Sequence, residues 1–246
     1  MASNCGASFQ GSRTSNILIY GERGSGKTSL ANVVADKAKA AGYLVLRFVC
    51  SAEVSFDDIF SSFLPRLPAG FVARGVSVSR AKEPEQSDAR TWGLRELLQI
   101  FDNFAPKHLI LIIDEYERVT SEATKARLAE LIKNLSDAAA PVTLIIVGIA
   151  ENTTELLGKH PSLQRALMAV PLPLMTPDEV GGIIAGGEEK SDLRFDLSVS
   201  RSIIDLAQGL PYHAQLLCYF AARSAVWRHS GLVERTSSQR SSWEKL

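Results

Sequence analysis

The sequence predicts an α/β fold: a three-layer αβα core on a parallel sheet, followed by a small helical domain. Three observations predict it. Short, continuously apolar runs alternate with helical patterns up to about residue 174, as buried parallel strands and their crossover helices do. The first run passes through a glycine-rich turn into a helix and then a second run, a βαβ unit that requires parallel pairing. After Met175 the alternation stops and only helical patterns remain.

The elements follow in order. Residues 1–14 read as a flexible tail. Asn16 to Tyr20, bounded by Ser15 and Gly21, reads as a buried strand. Lys27 to Ala41 is rich in Ala, Leu and Lys and stops at Gly42, which predicts a helix. Tyr43 to Val49 is the second strand. A short helix is expected at 56–64, then an irregular excursion from Pro65 to Ser87 with no assigned role. Thr91 to Phe104 places Leu94, Leu97, Leu98 and Phe101 on one helical face. Leu109 to Ile113 has the all-apolar character of a central strand. Glu122 to Ala138 is a helix, Val142 to Val147 a strand, and Ala169 to Leu174 a last strand whose two prolines suit an edge or an end. Thr176-Pro177-Asp178-Glu179 combines a cap, a proline at the first helical position and an acid three residues after the cap, a strong helix start. Helices are expected at 177–185, 199–208 and 212–228. The domains are therefore a core over 15–174, a helical lid domain over 175–228 and a polar tail over 229–246.

Composition excludes some classes. The 246 residues include 46% hydrophobic and 22% charged residues, ordinary globular values. Lys plus Arg number 27 and so do Asp plus Glu, a balance unlike that of a chain that mainly coats nucleic acid. DNA as a partner is thus unsupported by charge. No run approaches the roughly 18 apolar residues of a membrane span, and Met1 to Arg13 is polar, unlike a signal peptide. Cys5, Cys50 and Cys218 lack metal-ligand spacing, and Cys50 and Cys218 read as buried reduced thiols. Together these features place the chain in the cytoplasm.

The chemistry is concentrated in two motifs. Gly21-Glu22-Arg23-Gly24-Ser25-Gly26-Lys27-Thr28, continuing into Ser29, matches GxxxxGK[ST] in full. Glycines let the backbone wrap tightly and aim N–H groups at phosphate oxygens, and the following helix adds its positive end. Lys27 is the expected contact to the β- and γ-phosphates, and the Thr28 hydroxyl the expected magnesium ligand. Asp114 ends the most apolar strand and Glu115 follows it. Asp114 would hold magnesium through its water shell, and Glu115 would polarise the attacking water.

Together the motifs resemble the additional-strand class of P-loop ATPases. The span from about 15 to 228 looks like an AAA+ or STAND-type module, similar to bacterial AAA+ ATPases related to origin-recognition-type initiators. The resemblance implies a five-stranded parallel sheet, a C-terminal helical lid, and ATP with Mg2+ as ligands. No Asn-Lys-x-Asp element for guanine is present, so adenine is expected. The resemblance also implies a polar sensor after the strand Val142 to Val147. Asn152 is the candidate, the other reading being a helix cap for Thr153 to Leu157. It implies an arginine able to reach a neighbouring subunit's γ-phosphate. Arg165 is the candidate, the other reading being a surface residue. Gly209-Leu210-Pro211 resembles the GxP element with which a lid contacts nucleotide, so Pro211 joins the expected nucleotide-binding residues. Tyr212 and His213 stand where many lids carry an arginine, and His213 reads as packed or capping.

The expected function is an ATP-binding, ATP-hydrolysing module that couples ATP and ADP states to lid movement and to a protein partner or a homo-oligomer. The alternative is a nucleotide-gated DNA-associated factor, an initiator or a transposition helper. Such initiators continue into a winged-helix domain, whereas this sequence ends soon after the lid. A small-molecule kinase with residues 65–90 as an internal lid ranks last.

Overall fold

The computed structural model describes residues 16–67, 91–102, 108–150, 166–227 and 232–233. It divides into two compact units, one of Met1–Gly21 with Lys27–Pro171 and one of Glu22–Gly26 with Leu172–Leu246.

The first unit is built on five parallel strands: β1 (Asn16–Gly21), β2 (Leu44–Val49), β3 (Leu109–Asp114), β4 (Val142–Ile149) and β5 (Leu167–Pro171), in the order β2-β3-β4-β1-β5. Among the described residues its helices are α1 (Lys27–Ala40), α2 (Phe56–Phe63), α3 (Leu94–Asp102) and α4 (Glu122–Ala138), with 3-10 turns at Leu64–Arg66 and Tyr116–Arg118. β4 lies between β1, which leads into the glycine loop, and β3, which ends at Asp114. β4 is thus inserted between the two motif-bearing strands. β5 is an edge strand, displaced from the expected 169–174, and Pro171 is its last residue, where a missing N–H costs the ladder least.

Strand alternation divides the core between the two faces of the sheet. Leu18, Leu109, Leu111, Ile113, Val142, Leu144 and Ile146 pack with the aromatic and aliphatic faces of α2, α3 and α4. Ile19, Ile110, Ile112, Ile145 and Val147 face α1, which offers Ala31, Ala35 and Ala38 and so can approach closely. β3 is buried at every position, which explains why its sequence is apolar without alternation. Asn16 is the polar exception at the start of β1. Its side chain donates to Ile132 O at 3.3 Å and accepts from Leu144 N at 2.9 Å, so its burial is compensated. On α2, Asp57 receives both Arg127 Nη1 (2.8 Å) and Nη2 (3.2 Å), together with Trp92 N at 2.7 Å. Burial alone would raise the Asp57 carboxyl. The Arg127 and Trp92 hydrogen bonds outweigh it and hold the group below the usual carboxylate range.

The second unit contains α5 (Pro177–Glu189), α6 (Leu197–Ala207) and α7 (Pro211–Trp227), with a two-residue parallel ladder of β6 (Arg194–Phe195) and β7 (Leu232–Val233). Thr176 Oγ1 accepts from Glu179 N at 3.3 Å, and Glu179 Oε2 accepts from Thr176 N at 2.8 Å, so the capping box is formed in full. α5 runs beyond the expected end at 185, through Gly186 and Gly187. Helix glycines cost only about 1 kcal/mol each, and the cap together with buried Val180 and Ile184 carries the helix past them. Leu232–Val233, placed by sequence in the polar tail, instead pairs with Arg194–Phe195, and Asp196 N donates to Val233 O at 3.0 Å. α7 buries its small residues Ala214, Ala221 and Ala225 and exposes Tyr212, Tyr219, Phe220 and Trp227. Among the described residues, no helix is long and apolar enough to cross a membrane.

Gly209 joins α6 to α7 at φ +74°, and a Cβ there would lie 2.6 Å from Met175 O. Met175 N donates to Gly209 O at 2.8 Å, so the two backbones are locked together. Gly209→Ala is expected to destabilise this unit by about 2–4 kcal/mol, because a left-handed φ and a backbone clash act at once. Calorimetry of the two proteins checks it, and an unchanged unfolding transition would contradict it.

Candidate functional site

The site grows from the C-terminal ends of β1 and β3 and the first turn of α1, where ligands of open α/β sheets are held. Gly24 and Gly26 adopt φ of +84° and +94°, so a side chain at either would be strained. The loop closes on itself through Ser25 N donating to Glu22 O at 3.2 Å. Glu22–Gly26 packs within the second unit. Tyr212 N donates to Gly24 O at 3.3 Å, and a Cβ on Gly26 would lie 3.7 Å from Pro211 Cγ. Of the loop residues, Ser25 is buried, with no hydrogen-bond partner for its Oγ, while Glu22, Arg23 and Ser29 are exposed.

Lys27 opens α1 and is only 8% exposed. Its Nζ donates to Gly21 O at 3.0 Å. Burial lowers the Lys27 pKa, and the carboxylates of Glu117 and Asp114 act in the opposite direction. One residue on, Thr28 Oγ1 donates to Asp114 Oδ2 at 3.1 Å, joining the two sequence motifs across 86 residues. Asp114 is almost fully buried, and its Oδ1 accepts from Glu115 N at 2.9 Å.

Glu115 sits in the left-handed region at φ 55°, ψ 40°, as the last residue before the 3-10 turn. Its Oε2 accepts from Arg118 Nη1 at 2.6 Å, and both side chains are substantially exposed. Exposed pairs of this kind contribute at most about 1 kcal/mol, so Glu115 is easily released. Asn152 and Arg165 lie outside the described residues. His213, expected to be packed or capping, is exposed, with its ring 5.9 Å from that of Tyr212. Cys50 is buried, and burial pushes its thiol up to about 12. Cys218, expected to be buried, is half-buried, and burial raises it to about 11.

Three side chains near the site escaped the sequence reading. Arg47 on β2 donates to Asp114 Oδ2 and to Asn32 Oδ1. Glu117 Oε2 accepts from Ile149 N at 3.0 Å and so ties the end of β4 to the turn after β3. Arg118 engages Glu115. A charged residue inside the run Leu44–Val49 was the available signal for Arg47.

The paired Thr28 hydroxyl and Asp114 carboxylate are hard oxygen donors and few in number. Among the described residues, no group of three or more His, Cys, Asp or Glu side chains is placed to hold a metal ion. A sparse oxygen set of this kind fits Mg2+, which keeps waters and completes its shell with substrate phosphates. It does not fit a metal held by protein alone.

Residues 6–147 match the family described as AAA ATPase domain. The chain belongs to that family. The chain is 29% identical over 148 residues to an ORC1-type DNA replication protein 2 of Thermoplasma acidophilum, a match covering 60% of this chain and 34% of that protein. Its fold is similar to the RuvB Holliday junction branch migration motor of Thermotoga maritima, with a TM-score of 0.60 at 17% identity over 91% of this chain and 59% of that one. It is also similar to the Aeropyrum pernix ORC1 protein in complex with DNA, with a TM-score of 0.56 at 19% identity over 90% of this chain and 57% of that one. This AAA chain thus spans about a third of the curated relative and under three fifths of these solved chains.

Proposed function

We propose that the chain binds ATP with Mg2+, hydrolyses it, and passes the nucleotide state to its helical unit and from there to a partner. The observation that carries this reading is the Thr28–Asp114 hydrogen bond. It brings the ends of two motifs 86 residues apart to one point at the foot of a glycine loop.

In this reading the backbone N–H groups of Gly24 to Thr28 cradle phosphate oxygens, and Lys27 leaves Gly21 O to bind the β- and γ-phosphates. Thr28 and Asp114 would hold magnesium, which when bound would supply charge neutralisation at the phosphates. Glu115, once free of Arg118, accepts the proton of the attacking water. Asn152 and Arg165 remain candidates for the sensor and for an arginine acting in a neighbouring subunit. Because Glu22–Gly26 packs within the helical unit, loop movement on γ-phosphate loss would be transmitted there, with Pro211 as a contact. The assembly is a homo-oligomer or a complex with another protein. A cytoplasmic setting suits the free thiols of Cys50 and Cys218.

The test is phosphate release from ATP by the purified chain with Mg2+, across a range of protein concentration. Turnover that rises more than linearly with concentration supports an arginine supplied in trans. Binding without any turnover would leave a nucleotide switch and overturn the hydrolytic part.

A second reading, a nucleotide-gated DNA-associated factor, is favoured by the similarity to an ORC1-type DNA replication protein. It requires ATP-dependent DNA retention that falls steeply with salt. No retention at low salt in any nucleotide state would dismiss it.

A further inference from the structure

Arg47 is out of place for a strand residue in this core. It lies on β2 between Val45 and Val49, on the sheet face that packs against α1. Its guanidinium donates to Asp114 Oδ2 and to Asn32 Oδ1, and its buried Nε has no hydrogen-bond partner. Thr28 and Asn32 are one turn apart on α1, so Thr28, Asp114, Arg47 and Asn32 form a closed polar circuit from α1 through β3 to β2. The circuit places a fixed positive charge on the carboxylate oxygen that also receives the Thr28 hydroxyl.

We propose that Arg47 is a positioning residue that acts as the resident counter-ion of Asp114, competing with the divalent cation and making its binding depend on nucleotide. The proposal rests on the reading of Asp114 as a magnesium-holding residue. Asp114 is only 2% exposed, and an ionised carboxylate at that depth requires a partner. Arg47 supplies it without metal. A hydrated divalent ion needs the same oxygen, and two cations at one carboxylate repel. The cation therefore enters only when triphosphate oxygens add negative charge beside it. The unpaired Nε fits a guanidinium that gives up good hydrogen bonding for one charge contact. Its side chain is 30% exposed, so it has a path toward solvent when it yields. Arginine suits this task because its guanidinium is weakly hydrated and tolerates a partly buried ion pair.

The test uses Mn2+ as the probe, with free Mn2+ read by electron paramagnetic resonance in the absence of nucleotide. Arg47→Gln is expected to bind Mn2+ roughly tenfold or more tightly than wild type. Arg47→Lys, which keeps the charge, is expected to behave as wild type, an outcome that a purely structural role for the side chain would not produce. The gain should vanish in Arg47→Gln combined with Asp114→Asn. Should Arg47→Gln lose its cooperative melting, Asn32→Ala loosens the guanidinium while leaving the charge in place, and a smaller gain of about twofold to threefold is expected. Unchanged Mn2+ affinity in the folded variant, or a gain that survives Asp114→Asn, would overturn the proposal. The parent reading is tested separately by Mn2+-dependent ATP binding. If Asp114→Asn leaves that binding intact, Asp114 does not hold the metal, whatever Arg47 does.

Discussion

Replacing Lys27 by methionine is expected to weaken ATP binding by roughly 100-fold, since a charge-assisted hydrogen bond to phosphate is lost in a partly desolvated site. Lys27 is 8% exposed, and its ammonium is held on Gly21 O at 3.0 Å, ready at the mouth of the loop. Burial disfavours the charged form, and the carboxylates of Glu117 and Asp114 act against that. Methionine retains most of the stem, so the loss reports on the charge. Fluorescent-nucleotide titration checks the prediction. A methionine variant that binds ATP as wild type does would show that phosphate is held elsewhere.

Glu115→Gln is expected to keep ATP binding and to lower the rate of phosphate release by about 100-fold to 10,000-fold, the usual contribution of a positioned general base. The substitution is nearly isosteric. Glu115 already stands at φ 55°, and glutamine meets the same backbone cost there. Asp114 Oδ1 accepts from the backbone N–H of residue 115, which the substitution leaves in place. The bond to Arg118 weakens, but that pair is exposed and contributes little. Stability should therefore barely change, and single-turnover phosphate release separates the two effects. Equal turnover in both proteins would remove Glu115 from the chemistry.

Parts of this arrangement were legible in the sequence because their physics is local. The loop from Gly21 to Thr28 is set by spacing along one stretch of chain, and its strand and helix lie on either side of it. Asp114 was marked by the run Leu109–Ile113, whose apolarity reflects burial on both faces. The Thr176 capping box is written in four consecutive residues. What escaped depends on partners far away in the chain. Arg47 and Asp114 are 67 residues apart, and nothing in the alternation of β2 says which acid the arginine meets. Asn16 looked like the first residue of an apolar run, yet its bonds reach Ile132 and Leu144. The β6–β7 ladder is two residues long in each strand, too short to have a period. The helix expected at 177–185 runs on to Glu189, because the cap and the buried Val180 and Ile184 outweigh the low local propensity of Gly186 and Gly187.

The most direct test of the central claim is calorimetric titration of ATP into the wild-type chain, with Mg2+ and again with the metal chelated. One ATP per chain is expected, bound more tightly with Mg2+, with the metal-dependent gain lost in Asp114→Asn. Absence of binding by ATP, ADP or any other nucleotide at millimolar concentration would contradict it, leaving the loop from Gly21 to Thr28 as a structural turn.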